Sequence, residues 1–143
     1  MAFKIRLTLL IPLIFCLSLV HAQSLPSGIT LKTSSLSFAR AYLQSATVKQ
    51  YAFFVGGAYG TGNVYNNLTN AVDIYDTSAK TWSLTTLKLP KVWFGITGLQ
   101  DVLMVAGGFS TNLIDSSLVE MWNVTTKTWT TSSLSSPRSY IGM

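Results

Sequence analysis

The chain has 143 residues, 48% of them hydrophobic and 10% charged, with a formal net charge of +5; that length bounds it to about one domain. Its single cysteine and single histidine, Cys16 and His21, both fall in the first 22 residues. The remainder therefore offers no disulfide, thiol nucleophile, imidazole base or soft metal ligand.

Lys4 and Arg6 precede an apolar run from Leu7 to Val20, and Val20-His21-Ala22 places small residues where a signal peptidase reads. Residues 1–22 read as a secretory signal peptide. The run is shorter than the ~20 apolar residues of a spanning helix and contains Pro12, so no membrane span is expected after cleavage. Secretion would start the mature chain at Gln23 and leave 10 − 2 = 8 basic residues against 5 acidic ones, a charge of +3. Those basic residues stand singly along the chain, so a nucleic-acid stripe is not indicated. Residues 23–30 read as a linker carrying Pro26 and Gly28.

An internal repeat organises the rest of the chain. Ala71 to Leu87, AVDIYDTSAKTWSLTTL, returns as Leu118 to Leu134, LVEMWNVTTKTWTTSSL, at an offset of 118 − 71 = 47. Upstream of it, residues 39–57 match 90–108 at an offset of 107 − 56 = 51, so the extra residues fall in the loop AYGTGNVYNNLTN. Insertions between repeats belong in loops.

In chain order, LKTSSL at 31–36 aligns with WSLTTL at 82–87 and WTTSSL at 129–134, which predicts an opening outer strand. Residues 39–57 and 90–108 each read as two strands joined by a tight turn, at Lys49-Gln50 and Gln100-Asp101. Each second strand ends in a glycine pair, Gly56-Gly57 and Gly107-Gly108. Such glycines serve positive φ or close backbone approach. AVDIYD and LVEMWN alternate at period two, as half-buried strands do. Turns with Asp76 and Asn123 come next, then strands opened by Trp82 and Trp129. Tyr75, Trp82, Trp122 and Trp129 recur by repeat and read as packing. No window of the mature chain has helical period, so it is expected to be all-β.

Asn67-Leu-Thr and Asn123-Val-Thr are N-glycosylation sequons, with Asn67 in the long loop. Tyr59 and Tyr65 lie in that loop and are the candidate ligand contacts. Gly60-Thr-Gly62 lacks the lysine and helix of a phosphate loop. Asp73 and Glu120 occupy equivalent positions, which points to a repeated structural role. No catalytic, cofactor or metal set emerges, and a non-catalytic protein is expected.

Together, the Gly-Gly strand ends, Tyr75 or Trp122, Trp82 or Trp129, and the Leu-x-x-Pro-basic entries at Leu87–Lys91 and Leu134–Arg138 resemble the kelch repeat family of β-propellers. The spacing is near the ~50 residues of such repeats, and the Gly-His and Trp-Asp pairs of WD repeats are missing. The resemblance implies a kelch-type β-propeller fragment over 31–143. It would hold two four-stranded blades at 39–87 and 90–134, the N-terminal outer strand, and the start of a third blade at 137–143. Because propellers close with about 4 to 8 blades, the 143 − 22 = 121 mature residues are expected to be the N-terminal part of a longer ring, with further blades of the same protein as its partners. The implied function is a secreted binding module for a protein or glycan, without cofactor. The alternative is the opening blades of a secreted copper radical oxidase resembling galactose oxidase, with its catalytic residues beyond this segment.

Overall fold

A strand that buries one face alternates its side chains, and AVDIYD does this so regularly that its placement fixes its neighbours. In the computed structural model, which describes residues 32–61, 67–111 and 114–142, Ala71–Asp76 is the third strand, β3, of a four-stranded antiparallel sheet. The others are β1 (Gln44–Val48), β2 (Tyr51–Val55) and β4 (Thr81–Thr86), in the order β1-β2-β3-β4. A second sheet has the same up-and-down path through β6 (Gly95–Leu99), β7 (Val102–Ala106), β9 (Leu118–Asn123) and β10 (Thr128–Ser133). The short strands β5 (Lys91–Val92) and β8 (Phe109–Ser110) pair separately. The described chain is all-β in antiparallel sheets. The signal peptide, the linker, Leu31 and Tyr65 lie outside the described residues.

Local chemistry sets the turns. Val48 pairs with Tyr51 and Leu99 with Val102, leaving two-residue turns whose first residues, Lys49 and Gln100, have φ of 52° and 53°. Positive φ at the first turn residue matches the twist of the flanking strands. In the β3–β4 turn Asp76 Oδ1 accepts hydrogen bonds from the N–H groups of Ser78 and Ala79, at 2.8 and 2.9 Å. Asn123 Oδ1 does the same for Thr125 and Thr126, at 2.9 and 3.0 Å. Either side chain supplies the acceptor oxygen, so Asp and Asn exchange here without changing the turn.

The core lies between the sheets. Phe53, Val55, Val72 and Ile74 of the first sheet meet Leu103 and Val105 of the second, with Tyr51, Ile96, Trp122 and Trp129 packed at the margins. Each fully buried side chain of this size contributes about 1.5–3 kcal/mol. Close approach is set at Gly98, where an added Cβ would collide with the Thr47 carbonyl oxygen. On the first sheet's outer face Tyr75 packs on its cross-strand neighbour Trp82 with centroids 4.9 Å apart, and on the second sheet's inner face Trp122 packs on Trp129 at 5.2 Å.

Asp73 and Glu120 sit in buried ion pairs. Arg40 Nη2 lies 2.5 Å from Asp73 Oδ2, and the Ser37 N–H donates to Asp73 Oδ1 at 3.0 Å. One repeat on, Lys91 Nζ lies 2.8 Å from Glu120 Oε2, and the Lys88 N–H donates to Glu120 Oε1 at 2.5 Å. The same carboxylate thus fastens each repeat's entry segment to its third strand.

The outer strand expected at 31–36 is not formed: residues 32–36 carry no ladder. Their packing nonetheless follows the alignment. Ser34, equivalent to Thr85, accepts a hydrogen bond from Trp82 Nε1 at 2.7 Å, as Thr85 Oγ1 does from Trp129 Nε1 at 3.1 Å. Ser34 meets Trp82 of the first sheet as Thr85 of β4 meets Trp129 of the second, but without strands of its own sheet beside it. A strand exists only through pairing.

Candidate functional site

The four hairpin turns of the two sheets lie at one end, and the longer connections, with both glycine pairs, lie at the other. Lys49 Nζ, 2.7 Å from Asp101 Oδ1, joins the sheets across the turn end. Its hydrogen bond holds the Asp101 carboxyl below the ordinary value of 3.8, against the opposing effect of desolvation. A cavity of about 280 Å³ opens between the sheets, lined by Tyr51, Asp76, Trp122 and Lys127 among others. Asp76 is already committed to its turn there.

The glycine end is built differently. Gly56, Gly57, Gly107 and Gly108 have φ of 59°, 105°, 65° and 95°. At Gly56 and Gly107 a Cβ would lie 2.7 Å from the Lys91 carbonyl oxygen and 2.5 Å from that of Arg138. Both the backbone conformation and the close approach require glycine. These pairs let the entry segment of the following repeat lie directly on the strand end.

That entry segment carries an aromatic residue in the left-handed region in each of three copies: Tyr42, Trp93 and Tyr140, with φ of 57°, 54° and 55°. For an L-residue this conformation costs about 1–2 kcal/mol. It is held by the surrounding backbone, for example by Ala41 and Ala58 exchanging both hydrogen bonds at 2.8 Å. Trp93 stacks on Tyr140 at 4.6 Å and 16° and tilts against Phe109 at 5.6 Å. Beside the first sheet, Phe38 meets Tyr59 edge to face at 5.8 Å, with the Arg40 guanidinium 5.1 Å from the Phe38 ring centroid. Tyr42, Tyr59 and Tyr140 are 58%, 47% and 72% exposed.

Of the residues singled out by sequence, Tyr59 belongs to this aromatic set. Tyr75, Trp82, Trp122 and Trp129 instead pair on the sheets. Asn67 is half-buried at the same end, its carbonyl accepting from the Tyr59 N–H at 3.0 Å, while the sequon's Thr69 is buried and accepts from the Ala71 N–H at 3.1 Å. Asn123 lies at the turn end with its Oδ1 engaged. Tyr42, Trp93 and Tyr140 fall outside the glycine and tryptophan signature of the repeat, although an aromatic stands two residues after the basic residue in ARAY, PKVW and PRSY. That recurrence was the available signal.

Exposed rings bearing hydroxyls offer flat apolar faces with a polar edge, which suits stacking on sugar rings or apolar peptide side chains. Among the described residues no three His, Cys, Asp or Glu side chains gather as a metal site. No family model and no curated protein matches the chain.

Proposed function

We propose that this chain is a secreted, kelch-type β-propeller module that binds a protein or glycan and carries out no catalysis, with the glycine end as its ligand face. The observation that carries the reading is that three exposed aromatics, Tyr42, Tyr59 and Tyr140, each stand at the end where both sheets send their longer connections. Loops on a rigid scaffold are where binding residues concentrate. Repeated four-stranded sheets, entry segments seated on glycine pairs, and the hydrogen bond from Trp82 Nε1 to Ser34, equivalent to that from Trp129 to Thr85, support the propeller reading.

The experiment is a binding screen of the secreted chain over immobilised glycans and extracellular-matrix proteins, with the Tyr42→Ala/Tyr59→Ala/Tyr140→Ala variant alongside. The variant is expected to retain its circular dichroism and lose at least tenfold in affinity. Binding unaffected by the triple substitution would reject the assigned face. Secretion is tested separately, by N-terminal sequencing of the exported chain, which should begin at Gln23; a sequence beginning at Met1 would contradict it.

A further inference from the structure

The cavity of about 280 Å³ between the sheets has two unlike walls. One is β4, whose Thr81, Ser83 and Thr85 line it at every second position. The other is apolar, formed by Trp122 of β9 and by Val124 just beyond it. Thr85 already accepts the Trp129 indole, which leaves the Thr81 and Ser83 hydroxyls for a ligand. An apolar cavity with a few convergent polar groups, lying between packed elements, is the ordinary form of a small-molecule site.

Two opposite charges reach this cavity from different sheets, and neither meets a counter-ion among the described residues. Asp76 gives Oδ1 to the Ser78 and Ala79 N–H groups, while its Oδ2 accepts no hydrogen bond from a described residue. Asp73, Asp101 and Glu120 instead hold Arg40, Lys49 and Lys91. Lys127 is placed by its N–H, which donates to the Asn123 carbonyl at 2.8 Å, and its ammonium pairs with no described carboxylate.

The charge on Asp76 is surplus to the turn. Asn123, its equivalent in the second repeat, builds the same turn with an amide oxygen. The Tyr51 hydroxyl is likewise particular to this cavity, since the equivalent residue is Val102. Neither feature follows from the repeat.

We infer that the cavity binds a free α-amino acid with an apolar side chain. The ligand's ammonium sits on Asp76 Oδ2 and the Thr81 and Ser83 hydroxyls, its carboxylate on the Lys127 ammonium, and its side chain against Trp122 and Val124. A neutral sugar would cover both charges without pairing either, and a charge removed from water needs a partner. This site is separate from the glycine end and does not depend on the propeller reading.

The test is titration of the chain with L-leucine, followed by the amide chemical shifts of Val124 and Lys127. Leucinamide, which lacks the carboxylate, and N-acetyl-leucine, which lacks the ammonium, are compared with it, and glucose is the neutral probe. Saturable shifts are expected with leucine, with affinity at least tenfold weaker for each derivative and for glucose. Asp76→Asn keeps the acceptor oxygen of the turn, so it should leave the urea midpoint unchanged while weakening leucine at least tenfold. Lys127→Met, at an exposed position, should weaken leucine as much and change leucinamide less than twofold. Absent shifts, or leucine affinity indifferent to both substitutions, would overturn the site. Glucose binding as tightly as leucine would overturn the ligand class.

Discussion

Replacing Glu120 by alanine isolates the interaction that ties a repeat's entry to its sheet. The Lys91 ammonium is fully buried, with Glu120 Oε2 2.8 Å away, and the substitution leaves that charge in the interior without its counter-ion. Removing one partner of such a pair costs about 3–5 kcal/mol. The Lys88 N–H loses its acceptor as well, a further loss of about 1 kcal/mol that overlaps the first. With a urea slope of about 2 kcal/mol per molar, the midpoint should fall by about 2 M, followed by tryptophan fluorescence of the full chain. The double variant Lys91→Met/Glu120→Leu removes both charges and should return close to the parent, because well-packed apolar replacements of buried pairs are neutral or stabilising by about 1–4 kcal/mol. A Glu120→Ala cost below about 1 kcal/mol, the range of exposed pairs, would refute the burial argument. So would a double variant as unstable as the single.

The same geometry sets the outcome of other substitutions. Gly56→Ala combines a φ of 59° with a Cβ 2.7 Å from the Lys91 carbonyl oxygen, so it should destabilise by about 2–4 kcal/mol. Gly60→Ala, at φ 77° but with its nearest contact among the described residues 3.5 Å away, should cost only about 1–2 kcal/mol, and equal losses by thermal unfolding would contradict the close approach. Trp129→Phe removes the indole hydrogen bond to Thr85 and should cost about 1 kcal/mol by denaturant titration. Because the folded-state pKa of Asp101 is lowered, the stabilisation from Lys49 is present above the ordinary carboxylate value of 3.8 and is lost as pH falls through the lower folded value. Asp101→Asn should flatten that acid limb, and added salt should weaken it in the parent.

The parts of the fold that can be read from the chain are those governed by neighbours in sequence. AVDIYD declares its pleat through alternation, Lys49-Gln50 and Gln100-Asp101 mark turns between apolar runs, and the offset places the second sheet. Long-range register is what stayed hidden. Arg40 and Asp73 lie 33 residues apart (73 − 40), and nothing local says that a lone arginine will meet that aspartate. The short β5–β8 ladder depends likewise on one repeat's entry crossing its own glycine pair. TSSL at 33–36 matches TSSL at 131–134 letter for letter, yet only the latter contributes to a strand, β10, because β9 lies beside it. At the proposed ligand face Tyr59 was legible as a loop aromatic. Tyr42 and Tyr140 were not, since each sits in a left-handed backbone conformation that aromatic residues rarely adopt and that no local pattern announces.

Binding at the glycine end, rather than at the turn end, is what the proposed function stands on. The deciding measurement is the affinity of the chain for its best-binding partner in the screen, compared between Tyr59→Ala/Tyr140→Ala at the glycine end and Lys80→Glu/Lys127→Glu at the turn end. At least a tenfold loss is expected for the tyrosine pair and a change below twofold for the lysine pair. A loss confined to the lysine pair would contradict the assignment of the ligand face.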